Sequence, residues 1–382
     1  MLKRTPLFED HQKLGGKLIE FGGWEMPVQY TSIVDEHQAV RQAAGLFDIS
    51  HMGEVRASGP AAAEFLNHIL TNDISRLTPG LGQYTLLCRP DGGVIDDLYA
   101  YRLGEQEYLL IINASRIEAD IAWVREQHSL FPRSGEVELE NLSDRTAAVA
   151  VQGPKTIDFI NVVFPGPSSA GQPVQHVTDL KKNEVGSFEF NSVPVWVSRT
   201  GYTGEDGFEV VAPNESIGPI WRALLAAGAA SGLKPAGLGA RDTLRTEACF
   251  PLYGHELDEK TTPIEAGVGF FVTIDKPDFI GRAALARQKQ NGPAKKCIAF
   301  KMTEKSPPPR PGYSLWSAEP ESRLIGQVVS GTQSPTFNVG LGLGYVPPEF
   351  AAPETLILVE IRGRKFPAVV VKKPFLPRTR PM

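Results

Sequence analysis

Residues 83–113 read QYTLLCRPDGGVIDDLYAYRLGEQEYLLIIN, and this stretch decides the fold class. It predicts strands at residues 83–87, 94–103 and 108–113, with a Pro-Asp-Gly-Gly turn between the first two. The segment 115–128 then predicts a helix, because Ile117, Ile121 and Val124 recur on one helical face and Ser115 can cap its start. A meander of strands followed by a helix indicates an α+β module.

A similar order of elements recurs further along the chain. Residues 188–190, 193–197 and 208–211 predict strands, and residues 217–227 predict a helix. The two stretches share this pattern rather than sequence identity. We therefore predict an α+β fold in which two related modules surround a central cleft, together occupying residues 1–282.

The composition changes after residue 282. Residues 283–311 are rich in Lys, Gln and Asn and end in Pro-Pro-Pro-Arg-Pro, which predicts a linker and a proline-rich loop. Beyond it, short β-rich runs at 324–330, 341–346, 355–361 and 366–371 are typical of a small β-barrel, which we assign to residues 297–382. Gly340, Gly342 and Gly344 lead into Tyr-Val-Pro rather than a helix, so they do not form a dinucleotide motif.

The bulk properties of the 382-residue chain exclude several classes of partner. A formal net charge of −5 and a pI near 5.9 favour neither nucleic acid nor anionic lipid. No run approaches the roughly 20 apolar residues of a membrane span, and the amino terminus lacks a signal sequence, so we expect a cytoplasmic protein. Cys88, Cys249 and Cys297 are scattered, without CxxC spacing or nearby histidine clusters, and predict neither a disulfide framework nor a metal site.

Asp97 is the first candidate for chemistry. With period two, the strand after the turn places Asp97 on one face with Tyr99 and Tyr101. A carboxylate in such a half-buried aromatic setting resists ionisation, which requires a partner or a purpose. The alternative is that Asp96 and Asp97 only accept hydrogen bonds from turn amides.

Two further polar residues lie at or near strands of the two modules. Asn113 ends the strand on the face of Leu109 and Ile111, and its amide is suited either to reading a heterocycle's edge or to capping the next helix. Glu209 points away from Phe208 and Val210 in an apolar strand, which fits either a binding group or a surface carboxylate. Tyr202, in the dense turn at 198–207, is predicted to lie close to Glu209.

Arg241 and Arg245 are four apart on a helix predicted at residues 240–248, so both guanidinium groups share a face and can meet an anion. The alternative is ion pairing with Asp242 or Glu247. His51, between Ser50 and Met52, lacks an acid placed by the sequence and is interpreted as structural.

The same residues carry a resemblance to the aminomethyltransferase family, the T-proteins of the glycine cleavage system. Its motifs occur in the family's order along nearly the whole chain: 21–27 (FGGWEMP), 45–53 (GLFDISHMG), 92–98 (GGVIDDL), 199–207 (RTGYTGEDG), 240–245 (ARDTLR), 251–257 (PLYGHEL) and 262–267 (TPIEAG). The ending at 375–378 is also similar, whereas Thr379, Arg380 and Pro381 depart from the family's tail.

The resemblance implies an enzyme that moves a methylene from an aminomethyl group to tetrahydrofolate, its co-substrate. The aminomethyl group is carried on the dihydrolipoyl arm of the lipoylated H protein, and we expect the enzyme to be a monomer. Asp97 would face N10 of the folate as the catalytic carboxylate. The remaining pocket positions implied by the resemblance are Met52, Tyr84, Tyr99, Tyr101, Asn113, Tyr202, Glu209 and Arg241, the last of which would contact either the folate or the substrate arm.

Two other functions resemble this one in sequence. A demethylase acting on dimethylglycine or sarcosine would require a separate flavoprotein subunit, because this chain has no room for a flavin domain. A folate-binding protein of iron–sulfur maintenance would carry a Lys-Gly-Cys motif where this chain has Pro-Leu-Tyr-Gly-His at 251–255. The Asp96–Asp97 pair favours the aminomethyltransferase.

Overall fold

Residues 2–376 are described by the computed structural model, so the predicted divergence of the tail at 379–381 lies outside the described residues. The α-helices are α1 (Phe8–Lys13), α2 (Ile33–Gln42), α3 (Ala62–Ile69), α4 (Ile117–Leu130), α5 (Ile160–Val163), α6 (Asn214–Gly228), α7 (Leu238–Ala248), α8 (Pro263–Ala266) and α9 (Arg282–Asn291).

The strands of the modules are β1 (Lys17–Phe21), β2 (Trp24–Gln29), β3 (Ala44–Asp48), β4 (Gly53–Ser58), β5 (Leu81–Cys88), β6 (Val94–Gly104), β7 (Glu107–Ile112), β8 (Glu138–Asn141), β9 (Thr146–Gln152), β10 (Ala170–Gly171), β11 (Val185–Phe190), β12 (Val193–Ser198), β13 (Gly207–Pro213) and β14 (Leu233–Pro235). Those of the carboxy-terminal part are β15 (Lys296–Met302), β16 (Ser314–Ser317), β17 (Leu324–Gln333), β18 (Gly340–Val346), β19 (Leu356–Ile361) and β20 (Arg364–Val371).

The chain divides into two compact units. The first comprises the chain up to Thr85 together with Asp96–Arg241, and the second comprises Leu86–Ile95 and the chain from Asp242 onward. Strand β6 therefore has its first two residues in the second unit, whereas Asp96 and Asp97 belong to the first unit. In residues 2–376 there is no helix with the length and apolarity needed to cross a membrane.

The first module of the first unit is a sheet with strand order β5-β6-β7-β4-β8. The predicted meander is confirmed as β5, β6 and β7, and the predicted helix is confirmed as α4. Ser115 is not its cap, because a 3₁₀ turn at Ala114–Arg116 precedes the helix and places Arg116 at the N-cap position. Phe65 and Leu66 of α3 and Val124 of α4 are buried, as the apolar face of each helix requires.

The second module repeats the order of the first. Its sheet runs β10-β11-β12-β13-β9-β3-β14, so the meander β11-β12-β13 is followed by β9 just as β5-β6-β7 is followed by β4. Helix α6 packs on this sheet through Trp221, which is fully buried with Phe188 and Phe208. The predicted pair of related α+β modules is therefore confirmed.

The two sheets of the first unit meet through aromatic and aliphatic side chains. Tyr101, Leu103 and Leu109 of the first sheet pack with Val185 and Trp196 of the second. Because side chains alternate along β6, its residues 97, 99 and 101 share the face that meets the second sheet, whereas residue 96 points toward the opposite face. The polar residues of β6 are thus divided between two environments.

The second unit contains a closed barrel with strand order β15-β18-β17-β16-β19-β20. Its interior is apolar, with Phe300, Leu315 and Val359 fully buried. A Cβ at Gly342 would lie 2.3 Å from Cζ of Phe300, so this glycine serves barrel packing. The predicted linker at 283–311 is wrong for most of its length, because it contains nearly all of α9 and the whole of β15; the domain boundaries drawn from the sequence stay predictions.

Candidate active site

Asp97 is held on both sides by neighbours in its own sheet. The Tyr84 hydroxyl on β5 donates to Asp97 Oδ2 at 2.8 Å, and Asn113 Nδ2 donates to Asp97 Oδ1 at 3.0 Å. Burial and the neighbouring charge of Asp96 raise the pKa of Asp97 to about 7. The side chain stays partly exposed, so this poised carboxyl group is accessible to a ligand.

The turn before β6 does not use this carboxylate. Asp91 Oδ1 accepts the hydrogen bond from the Gly93 amide at 3.1 Å, and Gly92 supplies the left-handed conformation with φ +91°. The alternative interpretation of Asp97 as a turn residue is therefore wrong. Its partners lie on β5 and at the end of β7, which are distant in sequence from the turn.

Asn113 makes hydrogen bonds that the sequence did not predict, and it does not cap the next helix. Its backbone N–H donates to Asp96 Oδ2 at 3.0 Å, and its Nδ2 donates to Asp96 Oδ1 and to the Asp97 carbonyl, both at 2.9 Å. Its side chain makes no capping hydrogen bond to the 3₁₀ turn that follows. Since the amide N–H groups are engaged by the two aspartates, Asn113 orients carboxylates here, and its contact with a heterocycle stays a prediction.

Glu209 is reached from the first module through a line of hydroxyl groups. Thr200 Oγ1 donates to Glu209 Oε2 at 2.7 Å and lies 2.9 Å from the Tyr101 hydroxyl. Burial, followed by the charge of Glu209, raises the pKa of both Tyr99 and Tyr101. Both tyrosines therefore stay neutral at physiological pH, and their rings lie 4.9 Å apart beside the carboxylate.

Arg241 lies over the ring of Tyr202, with its guanidinium carbon 4.7 Å from the ring centroid. The charge of Glu209 acts on it, but burial outweighs that charge and lowers the pKa of Arg241. Within residues 2–376 no acceptor hydrogen-bonds to Arg241 Nη1, although the atom is buried. A buried guanidinium N–H without an acceptor is costly, and it suits a site that a polar ligand completes.

Electrostatic interactions link the two groups of candidates within the first unit. Tyr84 hydrogen-bonds to Asp97, and its pKa is raised first by burial, then by Asp97, and also by the nearby Tyr202 hydroxyl. The ring of Tyr202 in turn lies under the guanidinium group of Arg241, and the charge of Glu209 acts to raise the pKa of that group. Tyr202 and Glu209 thus both act on the charge of Arg241, and the predicted closeness of Tyr202 to Glu209 stays a prediction.

Met52 lies in the turn between β3 and β4, where its N–H donates to the Ile49 carbonyl at 3.0 Å. Its neighbour His51 is 2% exposed, and burial lowers the pKa of His51 to about 4, with Asp48 opposing and Arg241 reinforcing the shift. A neutral, buried imidazole fits the structural role predicted for His51. The participation of Met52 in the pocket stays a prediction.

Arg245 does not share the environment of Arg241. It is 2% exposed and donates to Asp242 Oδ1 at 2.9 and 2.7 Å and to Glu256 Oε2 at 3.0 Å, all within the second unit. For Arg245 the ion-pair alternative is therefore right, with Glu256 as the buried partner in place of Glu247. Glu247 instead accepts a hydrogen bond from the Thr336 hydroxyl at 2.8 Å.

Comparisons with known proteins match this arrangement along the whole chain. Residues 7–276 match the GCVT N-terminal domain, and residues 295–376 match the glycine cleavage T-protein C-terminal barrel domain. The chain belongs to the glycine cleavage T-protein family.

Members of the T-protein family with curated descriptions are similar to this chain over their full lengths. An aminomethyltransferase of Bacillus subtilis (strain 168) is 47% identical, covering 99% of this chain and 100% of the relative. One from Geobacillus thermodenitrificans (strain NG80-2) is 46% identical, with 100% of both chains covered. The crystal structure of glycine cleavage system aminomethyltransferase T from Bartonella henselae is 33% identical and superposes with a TM-score of 0.88 over 98% of each chain.

Two polar residues of this candidate site were not predicted from the sequence. Thr200 was seen only as part of a turn, and its contact with Glu209 depends on the pairing of β12 with β13. Asp120, on α4, is buried beside Asp96. Its signal was present, because residue 120 lies on the same helical face as Ile117 and Val124, where a carboxylate is unexpected.

Proposed function

We propose that this chain transfers the methylene of an aminomethyl group to tetrahydrofolate, giving 5,10-methylenetetrahydrofolate and ammonia. The aminomethyl group is delivered on the dihydrolipoyl arm of the lipoylated H protein of the glycine cleavage system. Membership of the T-protein family supports this reaction class. The observation that carries it is Asp97, a partly exposed carboxyl group held by Tyr84 and Asn113 with a pKa of about 7.

The reaction exchanges bonds without changing oxidation states. Two C–N bonds form between the methylene and the two folate amines, while the C–N bond to ammonia and the C–S bond to the lipoyl arm break. The hydrogens of the two amines leave on ammonia and on the thiol. The protein therefore needs to orient the amines and stabilise a cationic methylene intermediate, and it supplies no electrons.

Asp97 meets both requirements, orientation of the amines and stabilisation of the cation. Its ionised oxygens lie in a low-polarity site among tyrosines, where a carboxylate stabilises a nearby cation more strongly than it would in water. A pKa of about 7 lets the group give up its proton as the cation develops and accept one from an amine. Tyr84 and Asn113 keep the carboxylate in one orientation, which makes the stabilisation preorganised.

The second half of the site fits a polar heterocycle. Glu209 and the buried Nη1 of Arg241 provide an acceptor and a donor, and Tyr202 provides an aromatic face beside them. A pterin ring carries donors and acceptors along one edge and is flat, so this set complements it. We assign pterin binding to Glu209, Tyr202 and Arg241, with Tyr99 and Tyr101 lining the same pocket.

The test is release of ammonia from aminomethyl-loaded, lipoylated H protein, measured with and without tetrahydrofolate. We expect release to depend on the folate, and Asp97→Asn to reduce it by at least about a hundredfold, as loss of one preorganised electrostatic group does elsewhere. Folate affinity should change little, since the amide keeps the shape of the carboxylate. Glu105→Gln, an exposed carboxylate in the turn after β6, is the matched control and should be fully active.

Full activity of Asp97→Asn would exclude the assigned role of this carboxylate. Absence of folate-dependent ammonia release from the parent chain would exclude the function itself. Formation of the folate product from dimethylglycine or sarcosine together with a flavoprotein would instead support the demethylase.

A further inference from the structure

A third carboxyl group lies behind the aspartate pair, on helix α4. Asp120 is 1% exposed, and its carboxyl group lies beside that of Asp96, so that each acts on the pKa of the other. Neither oxygen of Asp120 receives a hydrogen bond from a donor in the described part of the chain. Arg116 Nε lies 3.8 Å from Oδ1, which is beyond hydrogen-bond range. An ionised carboxylate is expensive in such a place.

Asp96 has the donors that Asp120 lacks. It is fully buried, and its two oxygens accept the backbone N–H and the side-chain N–H of Asn113 at 3.0 and 2.9 Å. Two buried carboxyl groups in contact do not both ionise, because each charge raises the cost of the other. The group with hydrogen-bond donors keeps the charge, and the group without them keeps the proton.

The charged groups around Asp120 agree with this division. Asp96 and Asp97 face it from β6 and Arg116 faces it from the turn before α4. Burial, followed by the charge of Asp96, raises the pKa of Asp120 to about 11, with Arg116 opposing and Asp97 reinforcing the shift. The amino-terminal end of α4 also favours an anion, but this effect is small beside burial and a touching like charge.

We propose that Asp120 is a positioning residue: as a neutral acid it donates its proton to Asp96, and this bond fixes the Asp96–Asn113 pair that orients Asp97. The inference rests on the proposed function, because Asp97 is the carboxylate assigned there to the reaction. Asp120 itself touches no reacting atom.

Loss of the Asp120 proton would affect Asp97 through Asn113. The Asn113 side-chain amide is shared between Asp96 and Asp97. If Asp96 lost the proton donor behind it, Asp96 would take up a proton itself and become a weaker acceptor for Asn113. The amide would then no longer hold Asp97 in one orientation, and a misplaced catalytic group is costly in rate.

Two substitutions separate this role from a simple packing role. Asp120→Asn keeps the shape and a neutral N–H donor toward Asp96, whereas Asp120→Ala removes the donor. We expect Asp120→Asn to keep kcat within a factor of about three and to leave the pH profile of ammonia release unchanged. Asp120→Ala should lower kcat about ten- to a hundredfold while the KM for tetrahydrofolate stays nearly constant. Glu118→Gln, an exposed carboxylate in the same turn of α4, is the matched control.

A second measurement does not depend on activity. The infrared difference spectrum between the parent chain and Asp120→Asn at neutral pH should contain the carbonyl band of a protonated carboxylic acid. Its absence would overturn the proposal, whether or not Asp120→Ala folds. If the parent chain released no ammonia, the proposed function would fail, while this band would still decide where the proton lies.

The kinetic results also have outcomes that refute the positioning role. Equal losses of kcat in folded Asp120→Asn and Asp120→Ala would mean that a neutral donor is not what the site needs. A shift of the acid limb of the pH profile by about one unit toward lower pH in Asp120→Asn would mean that Asp120 is ionised in the parent chain, because removing a negative charge lowers the pKa of Asp97.

Discussion

Replacing Asp97 by asparagine should remove activity and at the same time stabilise the folded protein at alkaline pH. The reason is that folding forces this carboxyl group into a partly buried position beside Asp96, where its ionised form is disfavoured. The amide of Asp97→Asn carries no charge, keeps an oxygen for the N–H of Asn113, and offers an N–H to the Tyr84 hydroxyl. The ionised form of this candidate catalytic carboxylate thus destabilises the folded protein.

The size and sign of the effect follow from proton linkage. An aspartate in an unfolded chain ionises near pH 3.9, whereas Asp97 in the folded protein has a pKa of about 7. Between these values the folded state binds a proton that the unfolded state has lost. The free energy of unfolding therefore falls by about 1.4 kcal/mol per pH unit and is lowest above pH 7. The full difference is on the order of 4 kcal/mol, and less to the extent that water reaches the carboxylate.

Thermal unfolding at pH 5 and at pH 8 measures this difference without any substrate. We expect the stability gained by Asp97→Asn over the parent chain to grow by about 2 kcal/mol between these pH values, or roughly 4–8 °C in Tm for a unit of this size. The control Glu105→Gln alters an exposed carboxylate and should show a constant difference from the parent at both pH values.

Two results would refute this reasoning. If the difference in Tm between Asp97→Asn and the parent chain were the same at pH 5 and pH 8, then Asp97 would ionise with an ordinary pKa. If the variant were the less stable protein at pH 8, then the charged carboxylate would be stabilised by its surroundings, contrary to the burial seen here.

Other predictions concern the neighbours of this carboxylate. The pH profile of kcat/KM for ammonia release should rise with pH through an acid limb near 7, since the ionised Asp97 is the form proposed to stabilise the cation; a flat profile from pH 6 to 8 would contradict this. Tyr84→Phe removes the 2.8 Å hydrogen bond to that ionised form and should move the limb upward by about one pH unit, as a hydrogen bond to a charged group is worth about 1.5 kcal/mol. Arg241→Met should weaken tetrahydrofolate binding by about ten- to a hundredfold in calorimetry, because Nη1 is a buried donor that the ligand is proposed to satisfy; an unchanged Kd would remove Arg241 from the site. Glu54 is buried with a pKa raised by burial to about 8, so its stabilising proton is lost as pH rises through 8, and Glu54→Gln should be the more stable protein at pH 9 but not at pH 4 in denaturant titrations.

The fold could be predicted from the sequence where local patterns were strong. The glycine turn and alternating strands around β6 predicted the meander, and the same order of elements further along predicted the second module. The prediction failed where a boundary depends on packing. Residues 283–311 looked like a linker because α9 has little apolar surface, and β15 is a strand only because β18 and β20 pair with it in the closed barrel.

The candidate site, too, could be predicted only in part from the sequence. Sequence by itself determined which side chains share the face of β6, because alternation along a strand is a property of the local backbone. It also determined, through its motifs, the family to which the chain belongs. It did not determine that Asn113 turns its amide toward two aspartates, or that Asp120 lies behind them.

Only the tertiary structure decided these contacts, because each joins residues that are close in space and separated along the chain. Tyr84, Asn113 and Asp120 meet the aspartate pair from three different elements, and Thr200 and Glu209 approach Tyr101 from the second sheet. Burial and neighbouring charge, which set the proton on each carboxyl group, exist only after those elements have packed. The sequence determined which acidic residues are present, and the folded environment set the pKa of each.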